Sequence, residues 1–308
     1  MNAPTQGNAF DIPFQLRAND IVRHIINVDS RFRQAPESST VSDFYFRLLT
    51  PVRNIVRIRI TSIEFPNNYL FFTLGRKNTT INIQYNLAVP TVFSLTIPDG
   101  NYNAYDMANT INAALVSVGL TWLKVAFNLI NGTFTFTGNQ YFAINCSPPP
   151  SPTGREYFVD RPFDYGLGFN LGFTRGMHTA AADASGVWIL KSDQCATFNG
   201  DNYLLLKIND YDCVSHQTTD QTFTALAKII LRDPKNYMAY DDYASQHAKE
   251  VTFPAPQDVT RLHVQVLDGY GQDINMCTAQ FSFSLEVLEV RNLSLYNTIR
   301  DSLTVRYS

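Results

Sequence analysis

The sequence predicts an all-β fold: an antiparallel β-sandwich of jelly-roll type with inserted loops and one short helix at about 103–116. Three observations predict it. Apolar residues recur at every second position through most of the chain, turn-forming residues separate those runs, and only one segment clearly repeats at the helical period. Period two is what a half-buried strand requires, because successive side chains point to opposite faces of a sheet.

In chain order, residues 1–20 show no usable period and read as an extended arm. Phe44, Phe46 and Leu48 then alternate with Tyr45 and Arg47. Val56, Ile58 and Ile60 alternate with Arg57, Arg59 and Thr61, which puts both arginines on the face away from the apolar one. Ile81, Ile83, Tyr85 and Leu87 repeat the pattern, as do Phe93, Leu95 and Ile97. From Asn103 to Val116 the spacing changes: Ala104, Ala108, Ile111 and Leu115 form one apolar stripe of a helix, with Asn103 as its N-cap. Val125, Phe127 and Leu129 lead through Asn131-Gly132 into Thr133–Thr137, a hairpin signal in which both central residues are expected at positive φ.

Cys146–Gly154 carries four prolines and reads as an exposed extended loop, since proline fixes φ and removes a donor. It either divides the region 21–308 into two β subdomains or is a long insertion in one sandwich. Later strands are expected at 187–190, 203–208, 249–253, 262–267 and 279–290. The stretch 222–231 fits helix or strand, with Ile229-Ile230-Leu231 favouring strand at its end. The Tyr- and Asp-rich stretch 233–247 reads as a loop.

Composition bounds the function. Charged residues are 17% of the 308 and aromatics 13%, with 22 Phe and 16 Tyr against 2 Trp. Globular chains usually carry about 25% charge, so a β core and partner-covered surfaces both suit this chain. The net charge of −3 gives no basic domain of the kind that holds nucleic acid, although arginines crowd the first sixty residues among interspersed acids. No apolar run reaches the roughly 18–20 residues of a membrane-spanning helix. The first twenty residues read as no secretory signal. Cys146, Cys195, Cys213 and Cys277 are spread without a C-x-x-C pair and read as free thiols, with two disulfides or a zinc site left open.

Chemical motifs do not accumulate. Gly166-Leu-Gly168-Phe-Asn-Leu-Gly172 resembles a dinucleotide fingerprint with its last glycine one position late, and reads as a tight loop packing Phe169 and Phe173. Asn209–Asp212 offers two carboxylates but reads as a strand-ending turn. His263, inside an alternating strand, reads as a satisfied or surface histidine rather than a ligand. Glu286 and Glu289 fall on opposite faces of the last strand. No catalytic residue, cofactor site or metal site is expected, so a non-enzymatic protein is the reading.

Several segments, in order, carry a resemblance: Ile25–Arg33 (IINVDSRFR), Ser42–Leu48, Pro51–Ile60, Thr61–Asn67 (TSIEFPN), Ile97–Tyr102 (IPDGNY), Gly168–Phe173, Tyr203–Tyr211 and Ala227–Leu231. This train resembles the jelly-roll penton and minor capsid proteins of large icosahedral double-stranded DNA (nucleocytoplasmic) viruses, such as giant viruses of algae and amoebae. The resemblance implies a structural virion protein, made in the host cytoplasm and located in the capsid. Its implied partners are other copies of itself, in a pentamer if it is a vertex penton, together with the major capsid protein and other minor capsid proteins. It implies no specific nucleic-acid ligand. Candidate interface residues are Arg31, Arg33, Arg57 and Arg59, of which Arg57 and Arg59 read either as a solvated sheet face or as a surface that meets an acidic partner, and Tyr237, Tyr240 and Tyr243, since aromatics are enriched at interfaces. The alternative is a carbohydrate- or receptor-binding β-sandwich using Tyr237, Tyr240, Asp241 and Asp242.

Overall fold

The computed structural model of the chain describes residues 20–86, 88–146, 166–217, 222–231, 235, 237–241 and 250–297. The expected arm, except Asp20, and the proline-rich stretch beyond Cys146 lie outside these residues.

In chain order the elements are β1 (Ile21–Asp29), β2 (Asp43–Pro66), β3 (Thr80–Tyr85), β4 (Thr91–Thr96), α1 (Ala104–Ser117), β5 (Leu123–Asn128), β6 (Thr133–Gly138) and β7 (Phe142–Asn145). There follow α2 (Leu167–Asn170), β8 (Met177–Thr179), β9 (Ala181–Ala182), β10 (Trp188–Lys191), β11 (Tyr203–Ile208), β12 (Val214–Gln217) and β13 (Thr222–Ala225). The last are β14 (Ala227–Ile230), β15 (Met238–Asp241), β16 (Glu250–Leu267) and β17 (Ser282–Val290). The fold is all-β, and the strand pairings of the described residues are antiparallel. The chain forms two compact units: residues 69–202 make one, and the segments before and after them make the other.

The outer segments build a two-stranded sheet, β12-β13, and a seven-stranded sheet in the order β1-β17-β2-β16-β11-β14, with β15 also paired to β2. Its centre is β2, 24 residues long. A straight strand of that length would span about 80 Å at ~3.3 Å per residue. Yet Phe44 near its start and Phe65 near its end both pack on Phe281, with ring centroids 6.0 and 5.4 Å away. The sheet therefore curls on itself and encloses its own core, in which Ile58, Ile60, Ile63, Phe283, Leu285 and Val287 are buried.

β-Bulges allow that curl, because an extra residue on one strand increases local twist and bend. The β2–β17 register shifts between Ser284 and Leu285 and again between Leu288 and Glu289. The β2–β16 register shifts between Thr252 and Gln257, where Pro254 and Pro256 sit. Prolines cannot donate to a ladder, and a bulge is where a sheet accommodates them. The segments expected as separate strands at 44–48 and 56–61, and at 249–253 and 262–267, are thus single bent strands. A bulge also corrects the expected facing of Val56. It joins Leu288 and Val290 in a cluster on the outer face, while Ile58 and Ile60 pair with Val287 and Leu285 on the core face.

Residues 69–202 form two four-stranded sheets, β4-β3-β7-β8 and β5-β6-β10-β9, with α1 beside β5. Their core includes Ile81, Ile83, Leu95, Phe134, Phe136, Phe142, Ile144 and Phe173. Helix α1 begins as its sequence requires: the Asn103 side chain accepts a hydrogen bond from the Asp106 amide, and Met107, Ala108, Ile111 and Leu115 are buried.

Three local expectations change. The β5–β6 hairpin forms where Asn131-Gly132 marks it, but Asn128 pairs with Thr133 across a four-residue loop and only Gly132 of the two takes positive φ (65°). The Asn131 side chain instead accepts from the Thr133 amide and hydroxyl, which stabilises the turn without a left-handed asparagine. The glycine-rich stretch contains a one-turn helix, α2, whose Cys146 neighbour would lie 2.6 Å from a Cβ added at Gly168. Within 233–247, residues 238–241 form a strand rather than loop, because the end of β2 offers them a partner from Ile63 to Pro66.

Candidate interface site

The signature IINVDSRFR ties the end of β1 to the start of β17. Asp29 caps a 3-10 turn at Ser30–Phe32 by accepting from the Arg31 amide. Its carboxylate also accepts three side-chain bonds from Arg31, two from Nε at 2.9 and 3.1 Å and one from Nη2 at 2.6 Å. The Arg31 guanidinium holds the Asp29 carboxyl below its ordinary value, against a smaller opposing effect of burial. Ser30 is fully buried; its hydroxyl donates to Gln280 and accepts from the Phe281 amide. Arg33 closes the knot by donating to the Ser30 carbonyl (3.0 Å). Of this pair, Arg31 stays 67% exposed by side chain and its guanidinium lies over the exposed Phe32 ring.

Arg57 and Arg59 do face away from the core, but onto a carboxylate of their own sheet. Glu286 of β17 is 4% exposed by side chain. Its Oε2 accepts from Arg59 at 2.9 Å and lies 3.3 Å from Nε of Arg23 on β1. Arg57 sits 3.7 Å from its Oε1 and 3.6 Å from Glu250 of β16. Register explains the gathering: Glu286 stands directly opposite Ile25 on one side and Arg59 on the other. Arg57 and Arg59 remain about a third exposed, so their outward rims are accessible while their charge is largely answered from within.

Tyr237 is 63% exposed and its carbonyl accepts from the Asn67 amide. The backbone of Tyr240 pairs with Glu64 in β15–β2. The Tyr240 side chain and the whole of Tyr243 and Asp242 lie outside the described residues. The structure therefore brings Arg57 and Arg59 together on Glu286 and places Arg31 and Arg33 in a separate knot around Asp29 and Ser30; of the three tyrosines, the side chain described is that of Tyr237, which is exposed.

A second outward-facing group was not marked by the sequence. Where β2 and β16 pair in unbroken register, the rungs are Asp43–Gln265, Tyr45–His263 and Arg47–Arg261. His263 stacks on Tyr45 with centroids 4.4 Å apart, and its Nε2 lies 2.7 Å from Asp43. Gln265 also donates to Asp43 at 3.2 Å. The guanidinium of Arg261 lies over the Tyr45 ring at 4.2 Å, a cation–π contact. Arg47, Arg261, Gln34 and Thr260 line an open cavity of about 410 Å³.

Residues 69–202 hold their own ion pair. Arg76 is buried, 3.0 Å from Asp201, with its guanidinium 5.4 Å from the Tyr69 ring and 5.5 Å from that of Phe71. The Tyr69 hydroxyl donates to the same carboxylate, and burial followed by the Asp201 charge pushes that phenol far up. The IPDGNY signature packs beside it: Asp99 accepts from the Leu74 amide, and Asn101 bridges the Phe71 amide and the Tyr69 carbonyl. None of the four cysteines is in a disulfide, and burial, with a lesser contribution from Asp193, pushes the Cys146 thiol up to about 12. Among the described residues no three His, Cys, Asp or Glu side chains converge as a metal site, and no helix is long and apolar enough to cross a membrane.

No protein-family model matches the chain, and no curated protein does. Among solved structures the chain is similar to the mavirus penton protein, at 11% identity and a TM-score of 0.43, covering 88% of this chain and 98% of that one.

Proposed function

We propose that the chain is a structural protein of an icosahedral double-stranded DNA virus capsid. In this reading it serves as a vertex penton or a minor capsid protein, assembling with itself and with the major capsid protein. The observation that carries the proposal is the ordered train of sequence signatures from Ile25 to Leu231. The side chains of those signatures support it by their work: Asp29, Ser30 and Arg33 lock one strand end, Arg57 and Arg59 lace three strands, and Asp99 and Asn101 pin a turn. They are joints of a scaffold. The surface supports assembly as well. Ile25 on β1, Phe32 and Leu49 are 69%, 71% and 99% exposed, and β1 and β14 end their sheet. Open edges and exposed apolar side chains are what neighbouring subunits cover.

Sedimentation of the purified chain tests this. Self-association across the micromolar range is expected; a monodisperse monomer at high concentration contradicts it.

A further inference from the structure

The rung Arg47–Arg261 places two like charges directly opposite one another on neighbouring strands. Such a pair is unfavourable by itself. Among the described residues nothing neutralises it. The neighbouring acids of these strands are already engaged: Asp43 by His263 and Gln265, and Asp258 by the Asn54 amide. Arg47 forms no ion pair, and Arg261 has only the Tyr45 ring. That ring is itself backed by His263, which Asp43 anchors, so Arg261 is held in place before any ligand arrives. Both arginines line one open cavity, together with Gln34 and Thr260.

We propose that this cavity is an anion site that receives a carboxylate side chain from an acidic segment of a partner protein. Paired planar guanidinium groups match the two oxygens of a carboxylate with parallel hydrogen bonds. The surroundings select a protein segment over a nucleic-acid backbone. Leu49, two residues beyond Arg47, is almost wholly exposed, and Tyr45 is 40% exposed, so an apolar residue flanking the acid has a seat. Tyrosine and arginine are the side chains enriched at the centres of protein interfaces. A phosphate backbone calls for a longer basic stripe than two arginines on a chain of net charge −3. The site stands on this geometry whether or not the chain is a capsid protein.

The test uses the full chain and two fluorescent probes, hexaglutamate and a ten-nucleotide oligothymidylate, with binding followed by anisotropy at low salt. Hexaglutamate is expected to bind, and Arg47→Ala or Arg261→Ala to weaken it about tenfold or more, while Arg53→Ala, outside the cavity, leaves it unchanged. Without probe, Arg47→Ala should melt at or above the wild-type temperature, because removing it relieves repulsion. The proposal is overturned if hexaglutamate does not bind, if the two cavity variants bind it as wild type does, or if oligothymidylate binds more tightly. A clear fall in the melting temperature of Arg47→Ala also overturns it, since the arginine would then be part of the fold's own support.

Discussion

The two units of the chain solve the same problem, a charge on a β-framework, in opposite ways. The outer segments place one buried carboxylate, Glu286, under three partly exposed arginines drawn from two other strands. Residues 69–202 bury Arg76 against Asp201 and two aromatic rings. The first arrangement is solvated at its rim; the second is buried, with side chains only 3% and 12% exposed. Desolvation makes the difference matter, because a charge that loses its partner can be rehydrated at a rim and cannot in a core.

The largest expected effect is therefore in residues 69–202. Arg76→Met removes the cation seated on Asp201 and should cost about 3–5 kcal/mol by urea unfolding. The double variant Arg76→Met/Asp201→Asn should recover part of that loss. If the single variant were neutral, the contrast between the two units would fail.

Glu286→Gln comes next. The three arginines it abandons can turn toward water, so the cost should be about 1–3 kcal/mol, less than for Arg76→Met. Removing Arg23 alone, 63% exposed, should cost less again. An equal or larger loss for Glu286→Gln would show that the solvated rim does not protect the cluster.

The smallest effect belongs to Asp29. Its folded pKa is lowered by Arg31, so the stability it contributes is present above the ordinary carboxylate value of about 4 and is lost as pH falls through the lower folded value. Between pH 6 and pH 3 the urea midpoint of the wild type should fall more than that of Asp29→Asn. Parallel pH profiles would remove the pair from the account.

Much of the fold was legible because its signals are local. Alternation marked β3, β4 and β6, and Asn103 capped the helix where its side chain predicts. What escaped depends on register between strands far apart in sequence. Nothing in Val56-Arg-Ile-Arg-Ile60 says that a bulge turns Val56 outward, or that a strand more than two hundred residues later brings Glu286 beneath both arginines. The alternations Tyr45-x-Arg47 and Arg261-x-His263 are each visible in the sequence. Only pairing in register makes them a stacked ladder ending in two facing arginines. Tyrosine-rich 237–243 shows the opposite error: its composition suggested a loop, and β2 supplied a strand partner.

The central claim is that this chain is a building block of an icosahedral capsid. A reconstruction of the purified virus particle, with the chain located by its fold, tests it most directly. The account predicts the curled sheet at the five-fold vertices or beneath the capsomers. Absence of the chain from the particle would contradict it.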